Sequence, residues 1–272
     1  MLIASAPPDG SAAGSQSRVL RSSVPKRRNT IVACWRAFRV CATVLHGLVQ
    51  VVLLFPRLSK PRRHKRVQIW GHTVLKRLDV EVTVVGTPAR VGPMLLVSNH
   101  ISWLDIVVLH AICHCRFVSK ADVERWPLIG TLARGGGSLF VERGSRRAAM
   151  RMVHRMADAL RNGDILAVFP EGTTGDGTSV LPFHSSLIQG AIWADVPVQP
   201  VALRFVDGHS AAPSPDVRYM GDDSLVGSIW RMLRARGLRA VVVFGPPQRA
   251  DGRDRRAWVQ DLRSEIVAMR HA

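Results

Sequence analysis

A histidine and an aspartate in the first half of the chain have the types and spacing of a catalytic pair. His100 follows the apolar run 94–98 and Asn99, and Asp105 stands five residues later, in the first turns of a predicted helix. A carboxylate there can accept a hydrogen bond from one ring nitrogen and leave the other as a general base. The same residues permit a second interpretation, in which Asn99 and Ser102 cap the helix and His100 has no chemical role.

Two further predicted strands end in residues suited to an anion. A glycine-rich turn precedes the strand 138–141, which leads to Arg143, and a guanidinium can bind a phosphate or a carboxylate through two parallel hydrogen bonds. The strand 165–169 leads to a small, hydroxyl-rich turn whose backbone N–H groups suit an anion. The candidate residues of this turn are Glu171, Gly172 and Thr173. Ligands of open α/β sheets bind at the carboxyl ends of strands, so these segments and His100 predict one site.

The elements that must position these residues alternate between short apolar runs and longer segments with helical periodicity. Such alternation predicts an α/β fold, a central mixed sheet flanked by helices. The predicted strands are 80–84, 94–98, 116–119, 138–141, 165–169, 198–205 and 240–244. The predicted helices are 67–78, 104–112, 146–160 and 258–269. We expect one catalytic domain over residues 59–272.

The N-terminal quarter has a different pattern. Residues 1–30 read as a flexible basic tail, and residues 31–58 as a membrane-anchoring helix built on a long apolar stretch. Polar side chains recur in this helix at intervals of three and four, which forms one stripe: Arg36, Arg39, Thr43, His46 and Gln50. The stripe favours a helix that lies in the membrane interface, or packs its stripe on the domain, over an isolated crossing helix. A buried core helix is the alternative.

The net charge of +18 indicates an anionic partner. Residues 1–66 hold 13 of the 38 Lys and Arg side chains and a single acid, Asp9, so most of the excess surrounds the apolar helix. That placement favours anionic lipid headgroups and argues against nucleic acid, for which the sequence offers no recognition motif. An acidic carrier protein could be attracted by the same charge.

Two other kinds of chemistry find little support. One cluster has metal-ligand residue types, namely His110, Cys113, His114 and Cys115, but a second Cys/His pair at zinc-ligand spacing is missing, and we expect a structural role. The four cysteines are too few and too uneven for a disulfide scaffold. A serine hydrolase of the α/β type would need a Gly-x-Ser-x-Gly elbow, which the sequence lacks.

Four ordered segments resemble the blocks of the lysophosphatidic acid (1-acyl-sn-glycerol-3-phosphate) acyltransferase family. They are residues 99–105 (NHISWLD), 140–143 (FVER), 169–173 (FPEGT) and 196–201 (VPVQPV). The similarity covers roughly residues 65–245 and includes the segment 119–130, which resembles the family's stretch between its first two blocks. A His and an Asp separated by four residues are specific mainly because the other blocks follow in order.

The resemblance implies roles for the matching residues. His100 would be the general base that takes a proton from the free hydroxyl of a lysolipid, and Asp105 would orient its ring. Arg143, with the turn at Glu171, Gly172 and Thr173, would hold the acceptor's head. The hydroxyl would attack an acyl thioester of acyl carrier protein or coenzyme A directly, with no acyl-enzyme intermediate, metal or redox cofactor. The implied location is the inner membrane, with the active site on the cytoplasmic side.

One departure from the family pattern concerns the acceptor. Residues 183–186 (FHSS) stand where the family often has Phe, a basic residue, a variable residue and Gly. The extended segment 169–186 is similar to the branch that includes bacterial lyso-ornithine lipid acyltransferases. We therefore expect lysophosphatidate as the acceptor, which gives phosphatidic acid in phospholipid biosynthesis, with lyso-ornithine lipid as the alternative.

Overall fold

The computed structural model describes residues 27–142, 145–208 and 210–271. Its centre is a seven-stranded sheet in the order β1-β7-β6-β2-β5-β3-β4. The strands are β1 Val80–Val85, β2 Met94–Ser98, β3 Arg116–Lys120, β4 Leu139–Val141, β5 Ile165–Val168, β6 Val198–Asp207 and β7 Leu238–Phe244. The sheet is mixed: β6, β2, β5, β3 and β4 run parallel, whereas β7 is antiparallel to β6 and β1 follows β7. The carboxyl ends of the five parallel strands therefore meet at one edge.

Helices cover both faces of this sheet. They are α1 Thr30–Val49, α2 Lys60–Arg77, α3 Leu104–Ile112, α4 Ala121–Arg125, α5 Ile129–Gly135, α6 Arg146–Arg161, α7 Gln189–Ala194, α8 Leu225–Arg234 and α9 Arg255–His271. The α1, α2, α3 and α8 helices bury one face, and the α6, α7 and α9 helices bury the other. Successive side chains of a strand point to opposite faces, so Leu96 of β2 lies in the first core and Leu95 and Val97 lie in the second.

The structure confirms the predicted α/β fold and nearly all predicted strands and helices. The predicted helix 104–112 has the same bounds as α3. The α4, α5, α7 and α8 helices were not predicted from the sequence. The α8 helix contains Gly227 and Ser228 near its start, and both residues have low helix propensity; burial of Met232 and Leu233 stabilises the helix instead.

The apolar N-terminal segment packs part of its polar stripe, Arg36 and Thr43, on the domain, which was one of the two favoured arrangements, whereas His46 is exposed. After α1 the chain continues through a π-helical stretch, Gln50–Leu54, and a 3₁₀ turn, Phe55–Arg57. Arg36 Nη1 donates to the Leu233 carbonyl at 2.5 Å, and Trp70 Nε1 donates to the Thr43 carbonyl at 3.0 Å. Along the rest of α1 and the turn after it, large apolar side chains are exposed: Ile31, Val32, Trp35, Phe38, Leu45, Val49, Val52, Leu53 and Leu54.

By length and composition, the helical segment Thr30–Arg57 could cross a membrane. Its contacts with α2 and α8, and the burial of Ala33 and Val40 in the core, tie one side of it to the domain. The exposed apolar side is compatible with membrane association. The predicted tail, residues 1–30, lies mostly outside the described residues.

Candidate active site

The candidate base stands at the carboxyl end of β2, between the neighbouring strands β5 and β6. The Asn99 side chain is buried and fixes this strand end: its Nδ2 donates to the Leu203 carbonyl at 2.9 Å, and its Oδ1 accepts from the Leu203 N–H at 2.7 Å. These two bonds continue the β2–β6 ladder beyond its last backbone pair. Asn99 therefore joins β2 to β6 and does not cap α3. Its two hydrogen bonds hold the backbone next to His100 in place.

His100 and Asp105 form the predicted pair. His100 Nδ1 donates to Asp105 Oδ2 at 2.7 Å, and the same oxygen accepts from the backbone N–H groups of Ile101 at 2.7 Å and Ser102 at 3.0 Å. The carboxylate is wholly buried, while 17% of the His100 side chain is exposed. A carboxylate can only accept, so Nδ1 carries a proton and the tautomer of the neutral ring is the one with its lone pair on Nε2. The pair thus orients Nε2 for the role of a base.

The Glu171 side chain binds the backbone of His100. Its Oε1 accepts from the His100 backbone N–H at 2.7 Å, and its Oε2 accepts from the Leu181 N–H at 3.0 Å. The Gly175 N–H donates to the His100 carbonyl at 2.7 Å, so both backbone groups of His100 are bound by the segment after β5. Burial raises the pKa of Glu171, although the backbone N–H groups of His100 and Leu181 act to lower it. In the structure this side chain positions the loop of the base; contact with an acceptor stays a prediction.

Two aromatic rings, which the sequence analysis did not single out, support the base. The Phe169 ring stacks on the His100 ring with centroids 4.0 Å apart and an interplanar angle of 9°. Phe117 stacks behind Phe169 at 5.7 Å. Because β3 and β5 are neighbours, the two phenylalanines fix the imidazole plane from one side. The only available signal was that Phe169 ends a predicted strand beside the candidate turn.

The other predicted acceptor-binding residues have different positions. Gly172 has a positive φ of +68°, and a Cβ there would come within 3.2 Å of the His184 ring, so the tight turn requires glycine. Thr173 is exposed in the same turn. Arg143 lies outside the described residues, two positions after β4 in the sequence. The substrate contacts of all three stay predictions.

The C-terminal helix holds the loop that follows this turn. Arg263 Nε donates to the Leu181 carbonyl at 3.0 Å, and Arg270 donates to the Gly177 carbonyl. Within the loop, Asp176 accepts from the Thr178 and Ser179 N–H groups, and its hydrogen bonds to Thr178 and Ser179 lower its pKa to about 2. The loop that contacts Glu171 and His100 is therefore held by α9 and by hydrogen bonds within the loop itself.

The histidine and cysteine cluster lies at the start of β3. The His64 and His114 rings stack at 3.5 Å, and burial lowers the pKa of His110 to about 4 and that of His114 to about 3. Cys113 and Cys115 are buried free thiols. Within residues 27–142, 145–208 and 210–271, no three His, Cys, Asp or Glu side chains are arranged to hold a metal.

The arrangement can perform base-assisted transfer. Nε2 of His100 faces away from Asp105, and an imidazolium formed there would be stabilised by the buried carboxylate. In the described part of the chain, no Ser or Cys side chain bonds to His100. The geometry therefore favours a nucleophile brought by the substrate.

The chain is similar to known acyltransferases. Residues 80–204 match the family model described as acyltransferase. A lyso-ornithine lipid O-acyltransferase of Pseudomonas aeruginosa is 38% identical over 77% of this chain and 81% of its own. A 1-acyl-sn-glycerol-3-phosphate acyltransferase of Neisseria meningitidis is 32% identical over 76% of this chain and 81% of its own.

The fold is similar to a crystal structure of the 1-acyl-sn-glycerophosphate (LPA) acyltransferase PlsC from Thermotoga maritima. The TM-score is 0.65 with 21% identity, over 90% of this chain and 97% of that one. At this identity the likeness concerns the fold alone. The sequence relatives and the family model carry the assignment further: this chain belongs to the lysophosphatidic acid acyltransferase family of lipid O-acyltransferases.

Proposed function

We propose that the protein transfers an acyl group from a thioester to the free hydroxyl of a lysolipid, with His100 as general base. Nε2 takes the hydroxyl proton as the oxygen attacks the thioester carbonyl. A new C–O bond forms, the C–S bond breaks, and the proton passes from the imidazolium to the leaving thiolate. The observation that carries this proposal is the Nδ1 to Oδ2 hydrogen bond of 2.7 Å, since it leaves Nε2 free to accept a proton.

Lyso-ornithine lipid is the acceptor we propose first, and lysophosphatidate second. The relative with 38% identity is named for the former, and the relative with 32% identity for the latter. The similarity of segment 169–186 to the lyso-ornithine branch also supports the first, and its departure at residues 183–186 lies beside the turn, where His184 borders Gly172. Arg143 would meet a carboxylate in one acceptor and a phosphate in the other, and both suit a guanidinium.

The acyl donor is a thioester of acyl carrier protein or coenzyme A, and both are anionic. A chain with a net charge of +18 attracts either of them. The reaction as written needs no metal or redox cofactor. We place the enzyme at the inner membrane with its site on the cytoplasmic side, where both donors occur and where anionic lipids attract the basic N-terminal region.

Acyl transfer by membranes that contain the wild type or His100→Ala tests the proposal. Labelled acyl thioester is offered with lyso-ornithine lipid or lysophosphatidate, and each donor is tried with each acceptor. A positioned base contributes about 10²–10⁴-fold to the rate, so His100→Ala should lose product by that factor. The matched control is His72→Ala, because His72 is exposed on α2 and should leave the rate unchanged.

The outcomes separate the mechanism from the acceptor. Product from lyso-ornithine lipid alone supports the first acceptor, and product from lysophosphatidate alone replaces it while the mechanism stands. Wild-type activity in His100→Ala would overturn the role of His100 as the base.

A further inference from the structure

A groove between α1 and α2 lies apart from the catalytic residues. Its volume is about 540 Å³, within the range of small-ligand sites. One wall comes from α1 and the other from α2 and the turn before it. The lining residues include Thr43, His46 and Gln50 on one side and Arg62, Lys65, Arg66, Ile69 and Trp70 on the other.

The groove concentrates unpaired positive charge. Arg62, Lys65 and Arg66 are exposed and lie on one face of α2, since they are three and four residues apart. Arg66 Nη1 donates to Gln50 Oε1 at 3.1 Å, and among the described residues no carboxylate forms an ion pair with any of the three. The sequence from residue 27 to residue 78 contains 12 Lys and Arg and no Asp or Glu.

The position of these cations on α2 is unfavourable for the helix itself. The α2 helix begins at Lys60 with Pro61 in its first turn and has no acidic residue there. The positive end of a helix dipole is stabilised by anions and destabilised by cations, and like charges four residues apart repel. At the start of α2 the dipole acts on Lys60 and Arg62, and Arg62 and Arg66 repel each other, so a bound anion would stabilise this end of the helix.

The groove also borders the exposed apolar side of the same helix pair. Thr43, His46 and Gln50 line it, while Leu45 and Val49 are exposed on the neighbouring side of α1. Ile69 lines the groove and is 55% exposed. When the apolar side of such a helix enters the acyl region, its polar border lies at the level of the lipid phosphates.

We propose that this groove binds the phosphate headgroup of an anionic phospholipid of the membrane, at a site distinct from the acceptor site. The phosphate oxygens accept hydrogen bonds from Arg62, Lys65 and Arg66, and the indole of Trp70 lies against the glycerol region. The bound phosphate supplies the anion missing from the start of α2. The inference rests on the membrane association proposed above, but not on the transfer reaction.

Vesicle binding by the full-length protein tests it, without donor or acceptor, so that its failure is distinct from a failure of the transferase proposal. The variant Arg62→Gln/Lys65→Gln/Arg66→Gln is compared with the matched variant Lys76→Gln/Arg236→Gln/Arg256→Gln, which removes three exposed cations elsewhere. The vesicles are phosphatidylcholine alone or an equal mixture with phosphatidylglycerol. Basic side chains near an anionic surface contribute about a factor of five each, so the groove variant should bind the mixture about a hundredfold more weakly.

The matched variant should bind nearly as the wild type does. Equal losses in both variants would show general charge attraction and overturn the site. Lipid-free thermal unfolding supplies the second readout. Removal of cations from the start of α2 should leave Tm unchanged or raise it, whereas a lower Tm would assign the cations to the fold. If inorganic phosphate raises the wild-type Tm but both variants bind vesicles equally, the groove takes free phosphate and the lipid assignment is wrong.

Discussion

The catalytic edge and the groove between α1 and α2 both concentrate charged groups. At the catalytic edge the protein itself binds these groups, whereas in the groove most of them are left open to solvent. At the catalytic edge the carboxylates are buried, and Asp105 Oδ2 and both oxygens of Glu171 accept hydrogen bonds from the protein. In the groove Arg62 and Lys65 are exposed and form no ion pair within the described part of the chain. We call the catalytic edge the complete region, because the protein itself holds its carboxylates, although Asp105 Oδ1 is buried without a hydrogen-bond partner among the described residues; the groove, whose cations have no ion-pair partner, is the incomplete region.

This difference follows from what each region has to do. A base works best when its orientation and its stabilising charge are in place before the substrate arrives, because reorganisation would add to the barrier. A surface that must find a membrane instead gains from charge left open to attract it, even where that charge weakens a helix.

Among changes in the complete region, Asp105→Asn should have the largest effect on activity. Asparagine keeps the shape but removes the charge that stabilises the imidazolium, so kcat should fall about 10²–10⁴-fold. Steady-state kinetics with the preferred acceptor measure it, and Asp158→Asn, an exposed acid on α6, is the control. A loss below about tenfold with an unchanged Tm would mean that Asp105 is structural only.

Much of the complete region could be predicted from sequence, because local rules govern it. Buried strands have continuous apolar runs, and the five-residue spacing from His100 to Asp105 spans one strand end and one helix start. The contacts of Phe169 and Asn99 were not predicted, because their partners, His100 and Leu203, are set by strand order, which periodicity does not encode. The predicted acceptor role of Glu171 is likewise untested, since its contacts are with the backbone.

The incomplete region was predictable only to a pair of alternatives. The stripe of α1 fixed which side is polar, but polarity alone does not say whether that side meets water or protein. The carbonyl of Leu233, which accepts from Arg36, lies 197 residues away in sequence, so this contact depends on the tertiary fold. Lysophosphatidate as the acceptor stays a prediction, because Arg143, the residue expected to hold the acceptor's head, lies outside the described residues.

A smaller effect should separate the apolar and cationic contributions of the N-terminal pair. Trp35 and Phe38 stack at 5.7 Å on the exposed side of α1. Burial of such a side chain contributes about 1.5–3 kcal/mol, so Trp35→Ser or Phe38→Ser should weaken binding to phosphatidylcholine vesicles by about tenfold or more. Vesicle flotation at high salt, where charge is screened, measures it.

The control for this change is Val91→Ser, since Val91 is highly exposed but lies before β2, away from α1. Equal losses in Val91→Ser and Phe38→Ser would show that exposure of apolar surface, and not the α1 side, governs binding.

The smallest expected effect concerns the free-energy cost of burying Glu171 in the complete region. Burial raises the pKa of Glu171, so the folded protein binds this proton more tightly than the unfolded chain does. The free energy of unfolding must then decrease as pH rises from the ordinary glutamate value through the raised one. Glu171→Gln removes this titration, so the stability of the variant relative to the wild type should increase with pH across that window. Urea unfolding between about pH 4 and about pH 7 measures the difference. A relative stability that is flat or decreasing would show that the two N–H bonds outweigh the burial cost, and Glu171 would then stabilise the loop of His100 at no expense to the fold.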